Sequence, residues 1–258
     1  MRIRKTGENR FSVFDEKNKC LGRAVIERTV MERIFPDRPV QYKIRVSASE
    51  TAKHLLYGAA ITRAKVLAAK EPQACRVYAD VDADDATALE VLKALGFKNY
   101  DGVVRMVKPV TDERVLATLP EGCTVVRDYL ARETEFEKCL RRYNECFAEE
   151  NDAAWLEELT EKPDFARLML VSEEGICGEA LVWSDGMTGV VGVLQTARAW
   201  RRKGVASYLL EDARKYFASL GLTRMSFDMW RASPGCPELA ISAGFTEKQI
   251  LKVYPEMV

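Results

Sequence analysis

The sequence holds a single histidine, His54, and no C-x-x-C pair among its seven cysteines. One imidazole excludes mechanisms that need two and leaves a histidine-based zinc site short of ligands. No metal cofactor is expected. The thiols of Cys20, Cys75, Cys123, Cys139, Cys146, Cys177 and Cys236 are odd in number and scattered, which suits reduced cysteines packed in cores rather than a disulfide framework. No apolar run is long enough to cross a bilayer, and the opening MRIRKTGENRF has no apolar export core. A cytoplasmic protein with no membrane partner is the expectation. Net charge is missing as well, because 39 basic residues balance 39 acidic ones. No overall field then recruits nucleic acid, although a local basic loop can still hold a phosphate. What remains is a chain of 258 residues, 47% of them hydrophobic, enough for one large domain or two small ones.

Against this background one stretch stands out: QTARAWRRKGVASYLLEDARKYFASLG, from Gln195 to Gly221. Val205, Leu209, Leu210, Ala213, Tyr216, Phe217 and Leu220 recur at helical spacing, with Glu211, Asp212, Arg214 and Lys215 on the other face and Gly221 as a cap. Upstream, TGVVGVLQT (188–196) reads as a buried strand. Arg201, Arg202 and Lys203 therefore crowd at a helix start, where unpaired N–H groups and the macrodipole disfavour cations unless an anion offsets them. Gly204 and Ala206 are small enough to let a phosphate approach the backbone closely. A solvated basic turn is the alternative at this level.

Arg201-Arg202-Lys203-Gly204-Val205-Ala206, between that strand and that helix, resembles the R/Q-x-x-G-x-G/A signature of the GNAT superfamily of N-acetyltransferases. The resemblance implies that acetyl-CoA is the cosubstrate, its pyrophosphate held by Arg201, Arg202, Lys203, Gly204, Val205, Ala206 and Ser207. It also implies that Leu194, Gln195 and Thr196 meet the thioester and pantetheine, with Ser233 a further cofactor contact.

A weak internal repeat adds to this. RVYADVDADDATALEVLKALGF ends at Gly96-Phe97 and RMSFDMWRASPGCPELAISAGF at Gly244-Phe245, each a strand, a polar turn, a helix and a capping Gly, offset by 148. Asp80 and Asp228 correspond. Around the second copy the pattern predicts a strand CTVVRDY, helices over 133–147 and 152–160, strands ARLMLVS and GICGEALVWS, and then the strand and helix of the basic loop. This is the GNAT order. Around the first copy, RFSVFD, CLGRAVIERT and VQYKIRVSA read as three antiparallel strands and HLLYGAAITRAKVLAAKE as the cofactor-helix equivalent. There the loop is SASETAKHLL, without R-x-x-G-x-G/A, and Gly58 falls inside the helix; the first strand and two helices look absent. The resulting expectation is an α/β (α+β) chain of two tandem GNAT-like domains, each a mixed, mostly antiparallel sheet flanked by helices. They would be a degenerate copy (1–108), a linker (109–121) and an acetyl-CoA-binding copy (122–258).

The resemblance implies an N-acetyltransferase working by direct attack of an amine, a small molecule or a peptide N-terminus, on the thioester. The alternative is a non-catalytic acyl-CoA-binding or regulatory module. Many GNAT enzymes place a tyrosine four residues before the Gly of Gly-Phe, but Ala240 and Leu92 occupy that place here, and Gly192 stands where a carboxylate is sometimes found. Asp228 is the candidate proton acceptor, at a site similar to a catalytic carboxylate of GNAT enzymes that acetylate protein N-termini, with Glu179 in reserve. Tyr254 or Cys236, after water, would protonate the departing thiolate. The oligomeric state is left open.

Overall fold

A computed structural model describes residues 1–32, 34–111, 117–147 and 151–257. The chain forms two compact units that are discontinuous in sequence. Unit 1 comprises Met1–Val104, Trp230–Pro234 and Ile250–Val258, and unit 2 comprises Arg105–Met229 and Gly235–Gln249. The first boundary lies close to the expected end of the first domain, whereas the last residues of the expected second domain group with unit 1. Within the expected linker, positions 112–116 lie outside the described residues.

Unit 1 opens with four strands in sequence, β1 (Arg2–Gly7), β2 (Arg10–Phe14), β3 (Cys20–Val30) and β4 (Val40–Ala48). Each is antiparallel to the one before. Helix α1 (Glu50–Ala68) then carries the chain back so that β5 (Cys75–Asp82) runs parallel to β4. Helix α2 (Ala86–Ala94) follows, its N-terminus capped by Asp85, whose carboxylate accepts from Ala88 N at 3.0 Å, and β6 (Lys98–Pro109) comes next, its residues from Arg105 on grouping with unit 2. Burial explains α1: Ala52, Leu56, Tyr57, Ala60, Ile61 and Ala64 form one stripe that packs with Val13, Ala24, Ile44 and Ala79 of the sheet.

The expected absence of a first strand does not hold, since Arg2–Gly7 forms β1. Its sequence, RIRKTG, has no apolar alternation because it is an exposed edge, and its backbone bonds to β2 carry it. The two helices absent from the sequence pattern are absent from the fold, for β1 turns directly into β2.

Unit 2 contains β7 (Thr124–Asp128), α3 (Glu133–Phe147), α4 (Ala153–Thr160), β8 (Ala166–Ser172), β9 (Gly175–Asp185), β10 (Thr188–Thr196), α5 (Val205–Ser219), β11 (Arg224–Trp230, of which Trp230 groups with unit 1) and α6 (Cys236–Ser242). The last strand, β12 (Thr246–Glu256), starts in unit 2 and ends in unit 1, where Lys252, Val253 and Glu256 pair with Asp82, Val81 and Tyr78 of β5. Strands β7 to β10 are antiparallel neighbours, and β11 joins β10 in parallel. Helix α5 lies against one face. Gly189 and Gly178 let it approach, because a Cβ on them would overlap the ring of Phe217 at 2.2 Å and Cγ1 of Val205 at 2.6 Å. A cluster of Leu130, Cys139, Leu156, Phe165, Leu181 and Val193 joins α3 and α4 to the other face.

The repeat read from the sequence is a structural repeat. Shifted by 148 positions, β4 coincides with β10, and β5, α2 and β6 with β11, α6 and β12. Gly96 and Gly244 both sit at positive φ, +87° and +80°, after the helix. The copies differ in the segment after β4 and β10. Helix α1 begins two residues after β4 ends, whereas eight residues separate β10 from α5. About two turns of helix in unit 1 thus occupy positions that form a loop in unit 2.

Candidate functional site

The loop from Ala197 to Gly204 is built by local chemistry. Ala197 N donates to Cys177 O at 2.9 Å, which ties the loop's start to β9, and a single 3-10 turn spans Arg198–Trp200. Arg202 and Gly204 are then both left-handed, at φ +64° and +82°. Such a conformation costs a non-glycine residue roughly 1–2 kcal/mol, a cost tolerated mainly where the loop has a task. Gly204 is required for its backbone angle, since a Cβ there would meet nothing within 4 Å. Lys203 lies over the ring of Trp200, with Nζ 4.8 Å from the centroid, and Arg201 Nε reaches Thr196 O at 3.5 Å. Val205 is buried against β9, which anchors the first turn of α5. Val205 to Ser207 form the first turn of α5, where a helix leaves backbone N–H groups without acceptors of its own. The predicted loop residues 201–207 thus gather three cations at one helix start.

Beside this loop the sheet opens. Strand β10 pairs with β11 only through Thr188↔Arg224, Gly189↔Met225 and Val190↔Ser226. Its register with β9 shifts between Val191 and Val193, making Gly192 the extra residue of a bulge. A Cβ on Gly192 would fall 1.8 Å from the ring of Trp183, so the indole packs across that glycine. Leu194, Gln195 and Thr196 follow the bulge and stay paired with β9 on one edge, while their pairing with β11 has ended. In unit 1 the equivalent strands remain zipped through six pairs, from Val40↔Cys75 to Arg45↔Asp80, and β4 keeps regular register with β3. The slot and the basic loop occur together in unit 2. Neither occurs in unit 1.

The face turned away from α5 holds the carboxylates. Glu179 is 1% exposed and accepts from Arg142 Nε at 2.8 Å, Arg167 Nε at 2.7 Å and the side-chain amide of Gln195. Gln195 therefore shares a network with Glu179 in addition to its place on β10. Arg167 is fully buried and also reaches Asp128 at 3.2 Å. Near the same network, burial pushes the Cys139 thiol up to about 12. Asp228 has a different setting. It lies on β11 two residues beyond the last pair with β10, with 43% of its side chain exposed, and both its oxygens accept from Arg105, at 2.8 and 2.9 Å. That bond in turn raises the Arg105 guanidinium. Neither the arginine partners of these carboxylates nor the indole on Gly192 was identified from the sequence. A lone glycine within a valine-rich strand is the one signal that points to the bulge.

The remaining predicted residues have partners of their own. Tyr254 and Ser233 belong to unit 1. Tyr254 packs edge-on against Tyr78 and Trp230, and burial raises its phenol above the ordinary range. Ser233 closes a turn, its N–H donating to Trp230 O at 2.9 Å. Cys236 opens α6, and burial pushes its thiol up to about 11. His54 is exposed on α1. Among the described residues no cluster of His, Cys, Asp or Glu suits a metal ion, and no helix is long and apolar enough to cross a membrane.

No family model matches the chain, and neither does any curated protein. Solved structures do resemble it. A GCN5-related N-acetyltransferase from Sphaerobacter thermophilus superposes with a TM-score of 0.56 at 16% identity, covering 98% of this chain and 81% of that one. A conserved protein of unknown function from Enterococcus faecalis V583 superposes with a TM-score of 0.59 at 11% identity, covering 96% of this chain and 61% of that longer one. The chain has the GNAT fold over nearly its whole length, as its element order led one to expect.

Proposed function

We propose that unit 2 binds acetyl-CoA and transfers the acetyl group to an amine. The observation that carries this reading is the coincidence, in one unit, of an opened β10–β11 pair and a cationic loop at the start of α5. Arg201, Arg202 and Lys203, with the amides of residues 202–207, supply charge and donors for a pyrophosphate. In the slot, the edge of β10 that β11 has left offers backbone groups of Leu194 to Thr196 to an amide-bearing arm. A backbone N–H there can also polarise a thioester oxygen.

Direct attack requires a neutral amine, so a base must accept a proton from the ammonium form. We assign that role to Asp228 over Glu179. All the bonding capacity Glu179 shows is spent on two arginines and Gln195 inside the core, whereas Asp228 is half exposed beyond the splay. Its partner Arg105 is equally exposed, and such a pair is worth at most about 1 kcal/mol, so an incoming ammonium can displace it. The attacking nitrogen forms the amide bond and sheds a second proton to water, the carbon–sulfur bond breaks, and the electron pair leaves on the coenzyme's sulfur. A thiolate whose conjugate acid has a pKa of about 8.5 takes its proton from water, and no side chain is needed in place of the missing tyrosine.

The acceptor is proposed only as an amine, small or peptidic. Coenzyme A release measured against a panel of amines tests the reading, with Asp228→Asn as the key variant. Unchanged acetyl-CoA affinity with a loss of about a hundredfold or more in turnover supports it. Saturable binding with no turnover on any amine would favour a non-catalytic acyl-CoA-binding module.

A further inference from the structure

Two of the cysteines of unit 2 touch. Cys123 Sγ donates to Cys177 Sγ at 3.4 Å, and Cys177 Sγ in turn donates to Gly175 O at 3.7 Å. Both thiols are free. Cys177 is fully buried, whereas Cys123, 7% exposed, stands just before the edge strand β7 with exposed Glu121, Gly122, Thr124 and Val125 on either side of it. An oxidant therefore meets Cys123 first, at a turn closed by the bond from Cys123 N to Pro120 O at 3.1 Å.

Cys177 also anchors the basic loop. Strand β9 shifts register against β8 between Ile176, opposite Val171, and Gly178, opposite Leu170, so Cys177 is the extra residue of a bulge. Its carbonyl accepts from Ala197 N at 2.9 Å, the bond that ties down the loop's start. Next to it, Gly178 lies so tightly under the first turn of α5 that a Cβ there would fall 2.6 Å from Val205 Cγ1. Both ends of the loop thus rest on residues 177 and 178. The loop's charge reaches the pair as well: burial and the bond to Cys177 push the Cys123 thiol up to about 11, and the Lys203 ammonium works against them.

We propose that Cys123 and Cys177 form a reversible disulfide in response to a peroxide, and that this bond loosens the basic loop and weakens acetyl-CoA binding; its effect on the coenzyme rests on the acyl-transfer reading. The Cys123 thiolate attacks one oxygen of hydrogen peroxide and the O–O bond breaks, leaving a sulfenic acid and, once the hydroxide is protonated, water. Cys177 Sγ then attacks the sulfenic sulfur, loses its proton, and expels the hydroxyl as a second water. Two thiols give up two electrons and two protons, and the peroxide becomes two waters. A disulfide holds its sulfurs about 2.05 Å apart, so the pair must close by roughly an ångström or more. The bulge is where β9 gives, and close packing passes the shift to Ala197 and Val205.

The full chain is treated with millimolar hydrogen peroxide, its remaining thiols are alkylated, and its disulfides are mapped by mass spectrometry of peptides. Hydrogen exchange at Ala197 and titration with acetyl-CoA follow on the oxidised and the reduced chain. The expected result is a link between Cys123 and Cys177 that dithiothreitol reverses, faster exchange at Ala197, and an affinity for acetyl-CoA lower by about fivefold, the worth of one hydrogen bond. Cys123→Ala is expected to bind acetyl-CoA as the unaltered chain does and to keep that affinity under peroxide; Cys123→Ser takes its place if Cys123→Ala does not fold. Absence of the link, a link with unchanged exchange at Ala197, unchanged affinity in a linked chain that binds when reduced, or a peroxide-induced loss of affinity retained in the variant overturns the proposal. If the reduced chain does not bind acetyl-CoA, the acyl-transfer reading has failed, and the link together with the exchange at Ala197 still decides whether the thiol pair controls the loop.

Discussion

Gly204 and Gly58 illustrate how one residue type carries different weight by position. Gly204 is left-handed at φ +82°, immediately before the first turn of α5. Ala at that site strains the loop by roughly 1–2 kcal/mol. Because the free loop can relax and must be restored around the ligand, Gly204→Ala is expected to weaken acetyl-CoA binding by about five- to tenfold, measured by calorimetry. Gly58 lies within α1, and a Cβ on it would touch nothing within 4 Å. Gly58→Ala is therefore expected to stabilise the protein by about 0.5–1 kcal/mol, seen as a higher melting temperature, with acetyl-CoA affinity unchanged. The sequence identified both glycines, because a glycine flanked by cations and one inside an apolar stripe leave different local patterns. It was silent on Arg105, Arg142 and Arg167. Their partners are distant in sequence, and a charged residue looks solvated until the fold brings a carboxylate to it.

At the level of elements, the strand and helix order of both copies was legible, since β4, β5, β10 and β11 carry clear apolar periodicity. The edge strand β1 was not, being held by backbone bonds rather than by side-chain burial. The unequal zipping of β4–β5 and β10–β11 was also beyond the sequence as read from these residues, because both pairs join similarly apolar strands and where pairing ends is set by the fold around them. Within unit 2 the buried pair of Arg167 and Glu179 joins β8 to β9. Glu179→Ala leaves Arg167 buried without its main counter-charge and is expected to cost about 3–5 kcal/mol in urea unfolding. Glu179→Gln, which keeps an acceptor, is expected to be milder. If it abolished turnover while leaving stability untouched, the proton acceptor would be Glu179 and not Asp228.

At the scale of the whole molecule, the buried thiols set an alkaline limit. Burial pushes Cys139 up to about 12 and Cys123 and Cys236 up to about 11 from 9.0. The folded state therefore keeps these protons while the unfolded chain loses them. Stability should be level in this respect below pH 9.0 and fall as pH rises toward 11. Urea midpoints measured across that range check the sign, and a midpoint that rose would contradict it. The discontinuous units lead to a second expectation at this scale. A fragment beginning at Glu121 loses Arg105–Val110 of unit 2 and carries the end of β12 without its partner β5. It is expected to aggregate rather than fold as a monomer, which size-exclusion chromatography would show.

The claim on which the rest depends is that one unit, and only that unit, holds the coenzyme. Isothermal titration of the intact chain with acetyl-CoA, alongside Gly204→Glu, tests it most directly. Gly204→Glu adds a strained side chain and a like charge where phosphate oxygens would lie. One site per chain, lost in that variant while the circular dichroism spectrum is retained, is the predicted result. Two equivalent sites, no binding to the intact chain, or unaltered affinity in Gly204→Glu would contradict it.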